Sequence, residues 1–282
     1  MPLLLVEILI LLIISIFIGI IASMLGIGGG IFLIPILTLG FGVDIKVAAA
    51  TSLVTIIVTS STSASRCLRE GFVNINLGVF LEFFSVIGAI TGAVIAYYLD
   101  ATIIEIVFAG VLVYTAIYMW RTRDIDLKTC TESTVGSVPS RFRAKFHDEC
   151  TDKQIEYDVK HVPRGAGASF AAGNLSGLVG VGGGTVNVPS MNIWMGVPMK
   201  AAISTSNFMI GVTAVASALV YLSNGFMAPI ITAAAAIGIF IGAMLGTGFI
   251  PKIKGNTLRM VFVVTIIVIA VLMILRAGGW WP

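Results

Sequence analysis

The sequence predicts an all-α polytopic membrane protein with 8–10 membrane segments, some of them short, broken or re-entrant, in two homologous halves arranged as inverted repeats. Three observations predict it. Of the 282 residues, 57% are hydrophobic and only 11% charged, where a soluble domain carries about 25% charged residues; an ordinary cytosolic enzyme is excluded. Seventeen of the charged residues fall between Arg121 and Arg164, so the remainder suits lipid. Finally, the chain matches itself at a shift of 154 residues, Gly26 falling on Gly180.

Taken in order, apolar runs separated by Gly, Pro, Asn or charge occupy 3–25, 30–43, 47–66, 77–99 and 102–120. No basic residue precedes the first run and Gly-rich sequence follows it, so it reads as a span and not as a cleaved leader. The polar stretch 121–164 comes next, then runs at 165–179, 185–197, 201–223, 227–250 and 256–276. About 20 residues cross a bilayer as helix. The runs 30–43 and 185–197 are too short for that and are expected as half-helices or tilted partial spans. Backbone groups in hydrocarbon must bond internally, and no run alternates apolar with polar residues, so helices are expected and a lipid-facing barrel is not. The chain divides into a first membrane repeat (1–120), a polar cytoplasmic linker (121–164) and a second membrane repeat (165–282).

The repeat aligns without a gap. Gly28, Gly29, Gly30 and Pro35 fall on Gly182, Gly183, Gly184 and Pro189, while Lys46, Thr51 and Ser52 fall on Lys200, Thr205 and Ser206. From 26 to 92, 23 of 67 positions are identical, which points to duplication of a whole bundle and not to a short solenoid repeat. Five crossings per half, an odd number, would place the halves in opposite orientations. With the polar stretch assigned to the cytoplasm, 15 of the 17 basic residues lie inside, leaving Lys46 and Arg276 outside. Inverted repeats with interrupted helices recur among secondary transporters. A parallel repeat is the alternative.

The glycine runs carry the first chemistry. Each glycine costs a helix roughly 1 kcal/mol relative to Ala, so the helix is expected to break at Gly28, Gly29 and Gly30 and again at Gly182, Gly183 and Gly184. Broken backbone at membrane depth persists where it lines a cavity or is buried in protein, and bare N–H groups there suit an anion. Simple close packing of helices is the structural alternative. A dinucleotide fingerprint fails on context, because the flanks are of membrane length and the motif is duplicated.

Thr51 and Ser52, Thr205, Ser206 and Asn207, and Asn187 on the preceding short segment supply hydroxyls and amides that replace water around an oxyanion without the insertion cost of a charge. Ser and Thr also bond back to their own helix, the competing role. Lys46 and Lys200 are candidates for attracting anions to the mouths, or for snorkelling to the interface. Glu82 lies inside an apolar run and is a candidate for proton coupling; its repeat partner is Ala236, so it stands outside any symmetric site. The three cysteines form no disulfide framework, and Cys130, Cys150, His147 and His161 fit no zinc template. No metal and no cofactor are expected. Without a membrane histidine or paired carboxylates, hydrolytic catalysis is not expected.

The duplicated Gly-x-Gly-Gly-Gly followed by Pro (26–35 and 180–189), with Val197-Pro198-Met199-Lys200-Ala201-Ala202-Ile203-Ser204-Thr205-Ser206-Asn207-Phe208, resembles the TauE/SafE family of sulfite exporters, also called toluene sulfonate uptake permeases. The resemblance implies a multi-pass plasma-membrane permease that moves sulfite, organosulfonates or other small sulfur-containing anions. Its motif residues fall on Gly28, Gly29, Gly30, Thr51 and Ser52, and on Gly182, Gly183, Gly184, Thr205, Ser206 and Asn207. Leu53 stands where the second half has Asn207, so two-fold symmetry of the site is imperfect. The expected reading is a secondary transporter with alternating access around the two breaks. Its partners are the anion, the lipid bilayer and a coupling proton or other ion. No nucleic acid is expected, and a homodimer is left open. A passive anion channel and a non-transporting scaffold or sensor are the rivals.

Overall fold

The computed structural model describes residues 5–25, 28–121, 142–148 and 153–247. Gly26, Cys130, Cys150 and the predicted run 256–276 with its flanking basic residues lie outside the described residues, as does the Lys200 side chain.

The first half forms α1 (Leu5–Leu25), α2 (Gly30–Pro35), a π-helical turn (Ile36–Gly40), α3 (Ile45–Arg69), α4 (Ile75–Tyr98) and α5 (Ala101–Arg121). After a two-stranded hairpin, β1 (Ala144–Asp148) and β2 (Lys153–Tyr157), come α6 (Val162–Val179), α7 (Gly184–Pro189), a second π-helical turn (Ser190–Trp194), α8 (Met199–Ser223) and α9 (Pro229–Thr247). Five of these helices are long and apolar enough to cross a membrane. Their large exposed side chains, such as Phe17, Phe83, Leu219 and Ile230, face outward as lipid contacts would.

Elements α2, its π turn and α3 recur 154 residues later, residue for residue, as α7, its π turn and α8. The short runs are half-helices, as their length requires. Each ends at a proline, Pro35 or Pro189, whose missing N–H removes the next α-helical donor, and the chain widens into the π turn at that point. Asp44 caps α3, its Oδ1 accepting from the Lys46 amide at 2.8 Å. That carboxylate offsets a lysine placed at the positive end of a helix.

Packing crosses between the halves. Helix α1 lies against α9 and α4 against α6, while α3 meets α8 at the centre; α4 also touches α8, and α9 touches α3. Small residues make the outer pairs possible: a Cβ on Gly92 would strike the Asn174 carbonyl, and one on Gly242 the Ile16 carbonyl.

The stretch expected as a solvated linker is partly structured. The hairpin pairs Ala144 with Tyr157 through Asp148 with Lys153, and Phe142, Tyr157 and Val162 pack against the cluster built on Leu77, Leu81, Met195 and Val197. Asn74 anchors it, donating from Nδ2 to the Phe142 carbonyl at 2.8 Å. The same side chain caps α4 by accepting from the Leu77 amide. Helix α6 begins at Val162, inside the expected linker.

Candidate functional site: two interrupted helices around a buried polar seam

Both helices break where the glycines stand. Gly28 and Gly182 have φ of 84° and 86°, Gly29 and Gly183 of 76° and 69°, a left-handed backbone that only glycine adopts without strain. Gly29 and Gly183 are the N-caps of α2 and α7. The two breaks touch. A Cβ on Gly30 would lie 2.7 Å from the Gly180 carbonyl and would collide with Ser52 Oγ. Ser52 Oγ donates to that carbonyl at 2.6 Å, so a side chain of the first half satisfies the backbone of the second break.

Isoleucines close the centre. A Cβ on Gly28 would be 3.1 Å from Ile56 and 3.2 Å from Ile210, and one on Gly182 would be 3.1 Å from Ile56. Both isoleucines are fully buried. They belong to a pattern that sequence reasoning missed. Ser52, Ile56, Thr59 and Ser63 lie on one face of α3, and Ser206, Ile210, Thr213 and Ser217 recur at the same spacing on α8. All eight are buried. The continued identity of the two halves beyond Ser52 was the signal that could have found it. Across this seam Ser60 Oγ donates to the Asn207 carbonyl.

The hydroxyls and amides singled out from sequence differ in what they have left to give. Thr51 Oγ1 pairs with Thr232 Oγ1 at 3.1 Å, and Ser52 has spent its proton on Gly180. Thr205 Oγ1 accepts from the Asn74 amide at 3.0 Å, which leaves its own proton to donate. Ser206 Oγ is buried with no hydrogen-bonding partner among the described residues; its counterpart Ser52 bonds Gly180, and the counterpart of Gly180 is Gly26, outside the described residues. Asn187 lies one turn into α7, 1% exposed, with neither Oδ1 nor Nδ2 bonded to any described residue. Asn192, on the π-helical turn that follows α7, donates to the Val197 carbonyl at 3.0 Å and closes the turn into α8.

The charged residues stand apart. Lys46 Nζ donates to the Tyr97 carbonyl at 3.1 Å and lies 5.5 Å from the centre of the Phe226 ring. Those contacts tie the α3 start to the α4 end. Lys200 occupies the first turn of α8. Glu82 is buried between α4 and α8, accepting from Thr213. His147 lies in β1 and His161 caps α6.

Five helices of membrane length, with half-helices broken at matched glycines and packed around a buried polar seam, define a multi-pass membrane protein. The comparisons specify it further. The family model for sulfite exporter TauE/SafE matches residues 11–273, and the chain belongs to that family. It is similar to the probable membrane transporter protein YdhB of Bacillus subtilis, 26% identical over 83% of this chain and 88% of the relative. It is likewise similar to the probable membrane transporter protein YunE of Bacillus subtilis, 24% identical over 92% and 94%. The probable membrane transporter protein MJ0441 of Methanocaldococcus jannaschii is 27% identical over 88% of each chain. No solved structure matches the chain significantly.

Proposed function

We propose that this membrane transporter is a secondary carrier of small sulfur-containing anions such as sulfite or organosulfonates. It works by alternating access about a site at the two glycine breaks, within inverted repeats. The observation that carries this reading is unsatisfied polar chemistry on the two helices that follow the second break: the Asn187 amide on α7 and the Ser206 hydroxyl on α8 are buried and, among the described residues, unbonded. An unmet buried polar group costs about 1–3 kcal/mol, a cost that a bound oxyanion removes by accepting from both. The Thr205 hydroxyl, the Asn207 side chain and the backbone of Gly182, Gly183 and Gly184 complete the site in the second half; Gly28, Gly29, Gly30, Thr51 and Ser52 frame it from the first. The burial of Ile56 against both breaks and of Ile210 against the first supports a carrier over a pore, since apolar side chains fill the space there. Lys46 and Lys200 draw anions to the two mouths.

The test is uptake by the purified protein in proteoliposomes. Sulfite or a sulfonate is expected to accumulate above its external concentration under an imposed ion gradient, and an uncoupler is expected to abolish this. Equilibration that ignores the gradient would establish a channel instead, and absence of flux for every sulfur anion would remove the substrate assignment.

A further inference from the structure

Glu82 is the buried carboxyl that the anion site does not use. It lies two turns into α4, 7% exposed. Thr213 Oγ1 donates to its Oε1 at 2.8 Å, and Ser85 Oγ lies 2.9 Å from the same hydroxyl. Thr213 has one proton to give, so the bonds run in one direction, from Ser85 to Thr213 to Glu82. Oε2 is buried with no hydrogen-bonding partner among the described residues.

An ionised carboxylate in such a place needs a counter-charge or several donors. Glu82 has one hydroxyl. The titratable and charged groups on the elements packed against it are elsewhere. On α4 itself Tyr97 and Tyr98 occupy the far end, and on the hairpin Tyr157 packs against the cluster of Leu77 and Leu81 near the α4 start. On α6, His161 and Arg164 are exposed at the first turn. On α8, Lys200 lies in the first turn, and Tyr221, near the last, donates to the Gly177 and Leu178 carbonyls.

We infer that Glu82 takes up and releases the coupling proton, Oε2 being the atom that binds it, and that Thr213 passes its charge state to α8. This rests on the carrier reading above. One proton arrives at Oε2 from one face of the membrane and leaves to the other, with no other bond made or broken. Protonated, Glu82 is neutral and the α4–α8 contact holds as the structure has it. Deprotonated, the carboxylate keeps a single donor, and its solvation requires the α4–α8 seam to admit water. Thr205, Ser206 and Asn207 stand on that same helix, so proton release and anion release are linked through α8.

The experiment pairs two measurements on the wild type and on Glu82→Gln, Glu82→Asp and Thr213→Val. Proteoliposomes with an entrapped pH dye read sulfite counterflow and sulfite-driven proton movement, while infrared titration of the purified protein reads the protonated carboxyl directly. Glu82→Gln is expected to keep counterflow, to lose proton movement and uphill accumulation, and to lose an acid carbonyl band that the wild type has at neutral pH. Glu82→Asp should recover part of the proton movement, and Thr213→Val should displace the pH dependence of uptake while counterflow persists. Proton movement that survives in Glu82→Gln overturns the inference, as does a wild-type spectrum with no protonated acid. A wild type without sulfite counterflow is instead a failure of the carrier reading, and the infrared band tells the two apart.

Discussion

Asn187 donates two protons and offers a carbonyl oxygen, and none of the described residues answers them. Its replacement by leucine, of similar volume, removes two unmet polar atoms from the interior. The unliganded Asn187→Leu protein is therefore expected to be more stable by about 1–3 kcal/mol. Sulfite should no longer raise its melting temperature, whereas it should raise that of the wild type by mass action. Thermal unfolding in detergent with and without sulfite checks both; a variant that melts lower but still responds to sulfite would place the ligand elsewhere. Gly30 behaves differently. Its substitution by Ala forces a Cβ onto Ser52 Oγ and the Gly180 carbonyl, and overpacking of this kind costs about 1–3 kcal/mol. Here the loss should appear as lower stability with or without ligand. The residue types of the site were legible because hydroxyls, amides and glycines are conspicuous in apolar runs. Which of them had already spent their protons was not, because Ser52 meets Gly180 only through a contact between the halves.

The hairpin is the element that the charge pattern concealed. A stretch in which acids and bases alternate reads as solvated, and only Phe142, Tyr157 and Val159 betray a surface turned toward the bundle. Burial pushes the Tyr157 phenol up from the usual 10 to about 12, its hydrogen bond with Asn74 pulling the other way. A group whose folded pKa is raised holds its full stabilising effect below the unfolded value and loses it as pH climbs through the folded one. Docking of the hairpin is accordingly expected to hold up to pH 10 and to weaken toward 12, and Tyr157→Phe should remove that part of the alkaline transition, as followed by limited proteolysis within the hairpin. Asn74→Ala takes away the α4 cap and the bond to Phe142 together. Loss of the cap alone costs about 1 kcal/mol, and the hairpin should become protease-sensitive already at neutral pH. By contrast, the starts of α2, α3, α7 and α8 were readable to within two residues, since glycine and run length act within one element; the switch to a π turn after Pro35 and Pro189 was not.

At the scale of the whole molecule, the sequence halves are not the packing units. Helix α1 is held by α9 and α6 by α4, with glycines at each contact, so two mixed bodies meet along the α3–α8 seam. Rocking of one sequence half against the other would tear those outer pairs apart; movement along the central seam would not. A cysteine pair at Ser60 and Gly211, whose Cβ positions would be 3.1 Å apart, is close enough to bridge after a small backbone adjustment. In a background without the three native cysteines, oxidation of that pair should stop transport and reduction should restore it. A pair at Ser15 and Gly238, across α1 and α9, where the Cβ positions would be 2.7 Å apart and the added Cβ also meets the Leu12 carbonyl, should transport equally when oxidised and when reduced. The reverse outcome would show that the sequence halves move as blocks. Duplication was visible in the sequence, but the exchange of helices was not, because identity at a fixed shift says which segments correspond and nothing about which ones touch.

That exchange constrains ancestry. A chain of half this length would present the equivalents of α1 and α4 to no surface of its own, and two copies side by side would supply both missing surfaces at once. Genetic fusion of such a pair frees each copy to diverge. An acid can then stand at Glu82 opposite Ala236, and an amide at Asn187 opposite Leu33, a division of labour that identical subunits cannot encode.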